Sequence, residues 1–222
     1  MTAHLIVTDE GATRVITLRR PEKKNAITQD MYRVMGDAID TAQNNPAIRC
    51  LIITGGSGVF TAGNDLDDFL KEGTSNTDTA HSAKFHCDYV LASTTATFST
   101  PFIHLGLVPE GASSLLMPRT MGYQRAFAML VMGRTFSAED AHLAGFVNVV
   151  VSPGHTEAEA RKVAREICKL PAEAVAVSRK LIRLPPEDMT RRIDQEGHLF
   201  RERMRSTEAI AAFKAFFSRG RG

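Results

Sequence analysis

Hydrophobic positions recur along the first part of the chain with two different periods. Residues 4–8 and 13–18 are rich in β-branched side chains and flank a short polar turn, which predicts a β-hairpin. Over residues 27–44, apolar side chains recur at intervals of three and four, which predicts a helix. The run 48–54, apolar except for Arg49 and Thr54, predicts a strand buried on both faces. The order is therefore β-β-α-β, in which a helix and a parallel sheet share one core.

The second half of the chain has a mostly helical pattern. The polar stretch 70–86 has no period and predicts a loop. Short strands are predicted at 89–92, 96–98 and 146–151. Helices are predicted over 113–120, 123–132, 137–143 with a capping box at its start, 156–169, from Pro171 to the Pro185-Pro186 break, and 187–217. We expect an α/β core domain of residues 1–152 and a helical region of residues 153–222.

Charge and composition argue against several classes of protein. The chain has 27 Lys and Arg against 25 Asp and Glu among 222 residues, a net charge of +2, which gives no electrostatic case for nucleic-acid binding. No apolar run approaches the roughly 20 residues that a membrane-spanning helix needs. Three widely spaced cysteines predict free thiols in a reducing compartment. We therefore expect a cytoplasmic protein without nucleic-acid or membrane partners.

The sequence lacks the common motifs for nucleotides, metals and nucleophilic serine. The glycine-rich stretch 55–58 is not followed by the Lys-Ser/Thr of a phosphate loop. His81 and His86 lie near Cys87, but nothing completes a tetrahedral set of ligands. No Gly-x-Ser-x-Gly is present. These absences predict that no metal or nucleotide cofactor takes part.

The densest basic cluster lies near the C-terminus. It consists of Arg191, Arg192, Arg201, Arg203 and Arg205, with Asp194, Glu196 and Glu202 among them. Because both signs of charge alternate along one predicted helix, the cluster predicts a solvated, ion-paired face rather than a nucleic-acid surface.

Two segments carry more specific signals. In Phe60–Leu66, small residues follow a strand and its turn, an arrangement that presents backbone N–H groups to whatever docks there. In Leu105–Ser114, Glu110 is a lone carboxylate in apolar surroundings between a proline and a glycine. Taken alone, such a residue is more typical of the first turn of a helix than of a catalyst.

Together and in this order, these segments resemble the crotonase, or enoyl-CoA hydratase/isomerase, superfamily. The matching segments are Arg20–Ile27, which resembles its first coenzyme A loop, Phe60–Leu66, which resembles its first oxyanion turn, and Cys87-Asp88, Phe98–Pro101, Phe136–Glu139, Ala144–Val147 and Phe213–Arg219. The resemblance covers nearly the whole chain. It implies an α/β spiral of ββα units with a C-terminal helical trimerisation region, assembled as a homo-trimer or hexamer, and an acyl-CoA thioester as ligand.

The resemblance also implies a catalytic mechanism. The backbone N–H of Asn64 would be one of two donors to the thioester oxygen of an enolate. Glu110 lies in a segment that resembles the one holding the single glutamate of the Δ3,Δ2-enoyl-CoA isomerase branch, and it would move a proton from C2 to C4. Substrate contacts are implied for Lys24, Ala26, Ala62, Gly63, Asp65, Leu66, Phe216 and Arg219, the last two from a neighbouring subunit. No cofactor is implied, because coenzyme A is part of the substrate.

The sequence departs from the family between Asp65 and Cys87. The family has there a helix and a strand whose glycine-rich turn supplies the second oxyanion donor, whereas this sequence has 21 mostly polar residues. A true deletion would remove a donor worth about 3 kcal/mol in the transition state. Omission of residues from this sequence is the favoured explanation, because a core strand is difficult to delete from an otherwise matching fold.

Three functions therefore stay open. The first is isomerisation of a 3-enoyl-CoA to the 2-enoyl-CoA. The second is a non-catalytic acyl-CoA-binding or assembly module on the same scaffold. The third is hydration of a 2-enoyl-CoA, against which the sequence carries one argument: a second glutamate that hydratases have is Phe102 here.

Overall fold

The computed structural model describes residues 3–56, 58–65 and 87–219 as a mixed α/β chain. Its strands are β1 (Leu5–Glu10), β2 (Thr13–Leu18), β3 (Cys50–Thr54), β4 (Leu91–Ser93), β5 (Thr97–Phe98), β6 (Phe136–Ser137) and β7 (Val149–Val151). Its helices are α1 (Gln29–Gln43), α2 (Ser113–Met121), α3 (Tyr123–Leu130), α4 (Ala138–Leu143), α5 (Thr156–Lys169), α6 (Ala172–Ile182), α7 (Pro186–Met204) and α8 (Thr207–Arg219). The loop predicted at 70–86 lies outside the described residues.

The chain forms two compact units. The first is drawn from residues 1–84 and 154–184, and the second from residues 85–153 and 185–222. The helices after residue 153 are thereby divided, since α5 and α6 belong to the first unit, and α7 and α8 to the second. The division into a core domain of 1–152 and a helical region of 153–222 stays a prediction.

The first unit confirms the predicted β-β-α-β order. β1 and β2 form an antiparallel hairpin in which Leu5 lies opposite Leu18, and β3 runs parallel to β2 with Thr13 opposite Cys50. α1 connects β2 to β3 and begins at Thr28, whose hydroxyl accepts a hydrogen bond from a backbone N–H of its first turn. Its apolar stripe is buried, as its period predicts.

β3 is less buried than its mostly apolar sequence predicts. Among its five residues only Ile52 is buried, and the others are partly exposed. The reason is that β3 pairs with β2 on one side and stands at the end of the described three-stranded order. α5 packs against β3, where Ala164 contacts Val15 and Ile52.

The second unit contains two small strand pairs and a core of small side chains. β4 and β7 are parallel, and β5 and β6 are antiparallel. A cluster of Ala92, Ala138, Ala141 and Val147 is closed by partly buried aromatic rings. Ser137 begins α4 with the predicted capping box: its hydroxyl accepts from the Asp140 N–H, and the Asp140 carboxylate accepts from the Ser137 N–H.

The C-terminal segment 187–217 is predicted as a single helical stretch, but the structure contains two helices there. The structure divides it into α7 and α8 at Arg205, and the Ser206 hydroxyl accepts from the Ala209 N–H at the start of α8. The first turn of α8 lies so close to Gly106 that a Cβ there would be 2.8 Å from the Ala209 nitrogen. No helix among the described residues is both long and apolar enough to cross a membrane.

The buried side chain of Asn25 holds the loop after β2. Its amide nitrogen donates to the carbonyl oxygens of Gly55 (3.1 Å) and Val59 (2.8 Å), and its amide oxygen accepts from the Arg20 N–H (2.7 Å). Its backbone carbonyl accepts from the Thr61 hydroxyl at 2.8 Å. Asn25 is 3% exposed and has a φ of +54°, a left-handed conformation that asparagine tolerates better than most residues. One side chain thus connects the loop to two later turns.

The capping box gives a pH-dependent prediction. We expect Ser137→Ala to lower the free energy of unfolding by about 1 kcal/mol at pH 7, because α4 loses its N-cap. Hydrogen bonds from the Ser137 hydroxyl and N–H hold the pKa of Asp140 below its ordinary 3.8. A carboxyl whose pKa is lower in the folded state stabilises the fold above its unfolded pKa, and this contribution disappears as the pH falls through the folded value. Denaturant unfolding should therefore show a smaller difference between the two proteins at pH 3 than at pH 7, and an equal difference would contradict this account.

Asn25 gives a second prediction on stability. Asn25→Ala leaves the carbonyls of Gly55 and Val59 without their donor, so we expect the free energy of unfolding to fall by about 2 kcal/mol. Asn44→Ala is the matched control, since Asn44 is an exposed asparagine at the end of α1 and its loss should cost less than about 0.5 kcal/mol. Equal effects of both variants in a urea titration would show that Asn25 does not hold the loop.

Candidate active site

In the first unit, the loop that resembles the coenzyme A loop lies beside the turn that resembles the oxyanion turn. The Ala62 N–H donates to the Lys24 carbonyl oxygen at 2.9 Å. The Ile27 N–H donates to the Gly63 carbonyl oxygen at 2.8 Å, and the Asp65 N–H donates to the Ile27 carbonyl oxygen at 2.9 Å. Two segments separated by more than 30 residues are thus joined along their backbones.

The backbone of Asn64 is oriented by this pairing. Ile27 and Asn64 form a parallel bridge, in which the hydrogen bonds of Ile27 run to the residues before and after Asn64. The N–H of Asn64 itself therefore points away from Ile27. Its side-chain oxygen accepts from the Tyr32 hydroxyl at 2.7 Å, which connects the turn to α1.

Asp65 forms a buried ion pair. Its carboxylate is 6% exposed and accepts from Nη1 of Arg20 at 2.5 Å. The same nitrogen donates to the carbonyl oxygen of Ala26 at 3.0 Å. The Asp65 side chain therefore has a structural partner, and a direct contact of Asp65 with substrate stays a prediction.

Lys24 and Ala26 differ in what they present. Lys24 is exposed, with a φ of +50°, so its side chain extends from a left-handed bend in the loop. The N–H of Ala26 donates to the Lys23 carbonyl oxygen at 3.0 Å, and its carbonyl accepts from Arg20. A protein carbonyl has two acceptor sites, so Ala26 retains the capacity to accept one further hydrogen bond. Leu66 lies outside the described residues.

The second unit contains Glu110 at the start of a tight turn. Glu110 is partly buried and is followed by two left-handed residues, Gly111 with φ +67° and Ala112 with φ +61°, before α2 begins. Its carbonyl oxygen accepts from the Ser113 N–H at 3.2 Å. The Ser113 hydroxyl is buried and has no hydrogen-bond partner in the part of the chain that the structure describes. Leu107, in the same segment, is buried. Apolar surroundings for the Glu110 carboxylate itself stay a prediction.

A carboxylate from α7 caps α2. Glu196 accepts from the backbone N–H groups of Ala112 (2.6 Å) and Ser114 (2.9 Å) and from the Ser114 hydroxyl. Arg192, one turn earlier on α7, donates to the same hydroxyl at 3.1 Å. Glu196 is 5% exposed, so its assignment to a solvated, ion-paired face is wrong.

The sequence contains a signal that identifies Glu196. The buried residues of α7 are Met189, Ile193, Glu196 and Phe200, which follow one another at helical spacing. An acid on the buried stripe of a helix requires partners inside the protein. Arg191, by contrast, is exposed and pairs with Asp188 at 2.5 Å, as the ion-paired interpretation predicts.

Two aromatic residues of the second unit bear on the sequence predictions. Phe102 is partly buried, with its ring edge-on to Phe200 at a centroid distance of 6.5 Å. Phe216, on α8, is half exposed and lies edge-on to Phe217. The side chain of Arg219 lies outside the described residues. Over residues 3–56, 58–65 and 87–219 there is no group of three or more His, Cys, Asp or Glu side chains placed to hold a metal ion.

Known proteins are similar to this chain over nearly all of its length. Two family models, both described as enoyl-CoA hydratase/isomerase, match residues 81–221 and 13–105. Enoyl-CoA delta isomerase 2 of Rattus norvegicus is 29% identical over 249 aligned positions, which cover 97% of this chain and 63% of the rat protein. The chain thus spans less than two thirds of that relative. Since it has only 222 residues, the rat protein has residues in the aligned region without counterparts here.

Solved structures are similar in fold. The structure of OdaA from Pseudomonas aeruginosa has a TM-score of 0.90 at 34% identity, over 97% of this chain and 99% of that one. An enoyl-CoA hydratase/isomerase from Pseudoalteromonas atlantica T6c has a TM-score of 0.89 at 31% identity, over 97% of both chains. With a family model matched over more than half of its residues, and with these folds, the chain belongs to the enoyl-CoA hydratase/isomerase family and has the α/β crotonase fold.

Proposed function

We propose that this protein is an isomerase that shifts the double bond of a 3-enoyl-CoA to the 2-position through an enolate, with Glu110 as the proton shuttle. The observation that carries the proposal is the placement of Glu110, partly buried, directly before two left-handed residues in a segment with apolar sequence. The rat relative, whose name is enoyl-CoA delta isomerase 2, supports the same reaction class.

Isomerisation by this route needs one base that also acts as an acid. The Glu110 carboxylate removes a proton from C2, and the electron pair of the C–H bond moves toward the thioester oxygen. The neutral Glu110 then returns that proton to C4, while the double bond forms between C2 and C3. No atom is gained or lost and the oxidation state does not change, so a second substrate or an oxidant is not required.

The negative charge on the thioester oxygen needs fixed donors. We assign one of them to the Asn64 backbone N–H, because the parallel bridge leaves that group pointing away from Ile27. A donor of this kind lowers the barrier by about 3 kcal/mol. Ala62, Gly63 and Leu66 belong to the same proposed turn, and Asp65 fixes it through Arg20.

Coenzyme A recognition is assigned to the loop of the first unit. The exposed ammonium of Lys24 would attract the pyrophosphate, and the Ala26 carbonyl would accept from the adenine. Phe216 and Arg219 of a neighbouring subunit in a homo-trimer or hexamer would complete the adenine site.

Cytoplasmic location and the absence of a cofactor other than substrate coenzyme A remain predictions. The name of one relative, from Mus musculus, describes that protein as peroxisomal.

A second candidate is an acyl-CoA-binding module without turnover. It is favoured by the residues that relatives have and this chain lacks, since the second oxyanion donor of the family is expected between Asp65 and Cys87. That segment lies outside the described residues. Hydration is the third candidate. Against it, the position of the second hydratase glutamate is occupied by Phe102, whose ring packs on Phe200 and offers no carboxylate.

Substitution of Glu110 tests the shuttle. We expect the wild-type protein to convert a 3-enoyl-CoA into the conjugated 2-enoyl-CoA, followed by ultraviolet absorbance, without hydrating a 2-enoyl-CoA. Glu110→Gln should lower kcat by about 10³-fold, because a neutral amide cannot accept the proton. Glu139→Gln, at an exposed acid of the second unit, should retain full activity.

The outcomes of that experiment separate the three candidates. Conjugation that persists in Glu110→Gln would overturn the shuttle assignment. Hydration by the wild-type protein would select the hydratase. Binding of coenzyme A with neither reaction would select the binding module.

Lys24 provides a test that does not depend on turnover. Lys24→Gln removes one exposed charge, and we expect the dissociation constant for free coenzyme A to rise about fivefold at low salt, equivalent to about 1 kcal/mol. Calorimetry in 0.5 M NaCl should show a smaller difference, because salt screens an exposed charge. Lys23→Gln changes the same net charge one residue away. If Lys23→Gln weakens coenzyme A binding as much as Lys24→Gln does, the effect comes from the overall positive charge of the loop and not from a contact of Lys24.

A further inference from the structure

The turn that carries Glu110 is held by a side chain from a distant part of the sequence. Glu196 is buried and uses both carboxylate oxygens on the residues that follow Glu110, with Oε2 accepting from the Ala112 N–H and Oε1 from the Ser114 N–H and hydroxyl. These are backbone groups of the first turn of α2, which otherwise has no side-chain cap. Glu196 therefore replaces the local N-cap that the sequence of α2 lacks.

The backbone between Glu110 and α2 needs such support. Gly111 and Ala112 both have left-handed φ values, and for alanine this conformation is unfavourable. Unfavourable backbone conformations persist where the surrounding structure fixes them. Ala112 is fully buried, and its N–H is held by Glu196, so the carboxylate fixes the residue at which the chain turns.

α7 also contacts the segment on the other side of Glu110. Nε of Arg203 donates to the Gly106 carbonyl oxygen at 3.0 Å, and Phe200 packs edge-on against Phe102. The segment around Glu110 is thus held by α7 both before and after the carboxylate. Of these contacts, those of Glu196 are nearest to Glu110 in sequence.

We propose that Glu196 is a positioning residue for the Glu110 proton shuttle. By accepting from the Ala112 and Ser114 N–H groups, it fixes the direction in which Glu110 leaves the turn. Glu110 can then return its proton to C4 before the proton exchanges with water. This inference rests on the proposed isomerase function.

Glu196→Gln is the nearest substitution in shape. An amide has one acceptor oxygen, and its NH₂ group would face a backbone N–H, so at least one of the two N–H groups loses its acceptor. We expect kcat for the 3-enoyl-CoA to fall about 10- to 30-fold, with KM and the dissociation constant of coenzyme A within twofold of the wild-type values. Reaction in D₂O should also incorporate at least twice as much deuterium per turnover into the product, because a displaced shuttle exchanges its proton more often.

Deuterium incorporation separates positioning from stability. Partial unfolding lowers the amount of active enzyme without changing the fate of the proton in each turnover. Glu202→Gln is the control, since Glu202 lies on the same helix and is exposed. Its carboxylate is 3.5 Å from Nε2 of His198. It should match the wild type in kcat and in deuterium incorporation. A Glu196→Gln enzyme with unchanged deuterium incorporation per turnover would overturn the inference, whether or not kcat falls.

Hydrogen exchange at the backbone makes the test independent of turnover. In Glu196→Gln, the amides of Ala112 and Ser114 should exchange at least tenfold faster than in the wild type, while those of α4 stay unchanged. Unchanged exchange at both amides would overturn the role of Glu196 whether or not the enzyme is active. An inactive wild type would overturn the proposed function instead, and exchange would then still decide whether Glu196 holds the turn.

Discussion

A polar side chain removed from water is stable only when the protein supplies its hydrogen-bond partners, and this constraint organises both units of the chain. In the first unit the amide of Asn25 joins the loop after β2 to the turns at Gly55 and Val59. In the second unit the carboxylate of Glu196 joins α7 to the start of α2. Asn25 itself has a left-handed backbone, and Glu196 holds the left-handed Ala112, a conformation that alanine does not favour.

The two proposed parts of the chemistry depend on these contacts in different ways. The oxyanion donor is a backbone group, so its position follows from the pairing of Ile27 with Asn64 and from the buried ion pair of Asp65 with Arg20. The shuttle is a side chain, so its position follows from the turn on which Glu110 stands. Fixed groups of this kind lower a barrier because they need little reorganisation when charge develops.

Much of the fold follows from local pattern, and the contacts that shape the site do not. The bounds of α5 and the capping box of Ser137 were evident in the sequence because spacing and capping chemistry are local. The break between α7 and α8 was not, because the apolar pattern continues through it and the close approach of Gly106 is tertiary. The resemblance to the family supplied the candidate residues, but the partners Asn25 and Glu196 bond across 30 and 84 residues of sequence, a separation that no local pattern reports. The neighbouring charges indicate a solvated face for Glu196, and only its helical register with the buried Met189 and Ile193 indicates that it faces inward.

The cap that α7 places on α2 makes the start of one helix depend on a residue 84 positions later in the sequence. A chimera that takes residues up to α2 from this protein and α7 from a relative keeps the turn of Glu110 but depends on the relative for the acceptor that holds it. Exchange of the C-terminal helices between family members is therefore compatible with an intact turn only where the incoming helix carries a carboxylate in the same register. The 2.6 Å hydrogen bond constrains residue 196 more than residue 112, because its donor is a backbone N–H that every residue except proline carries.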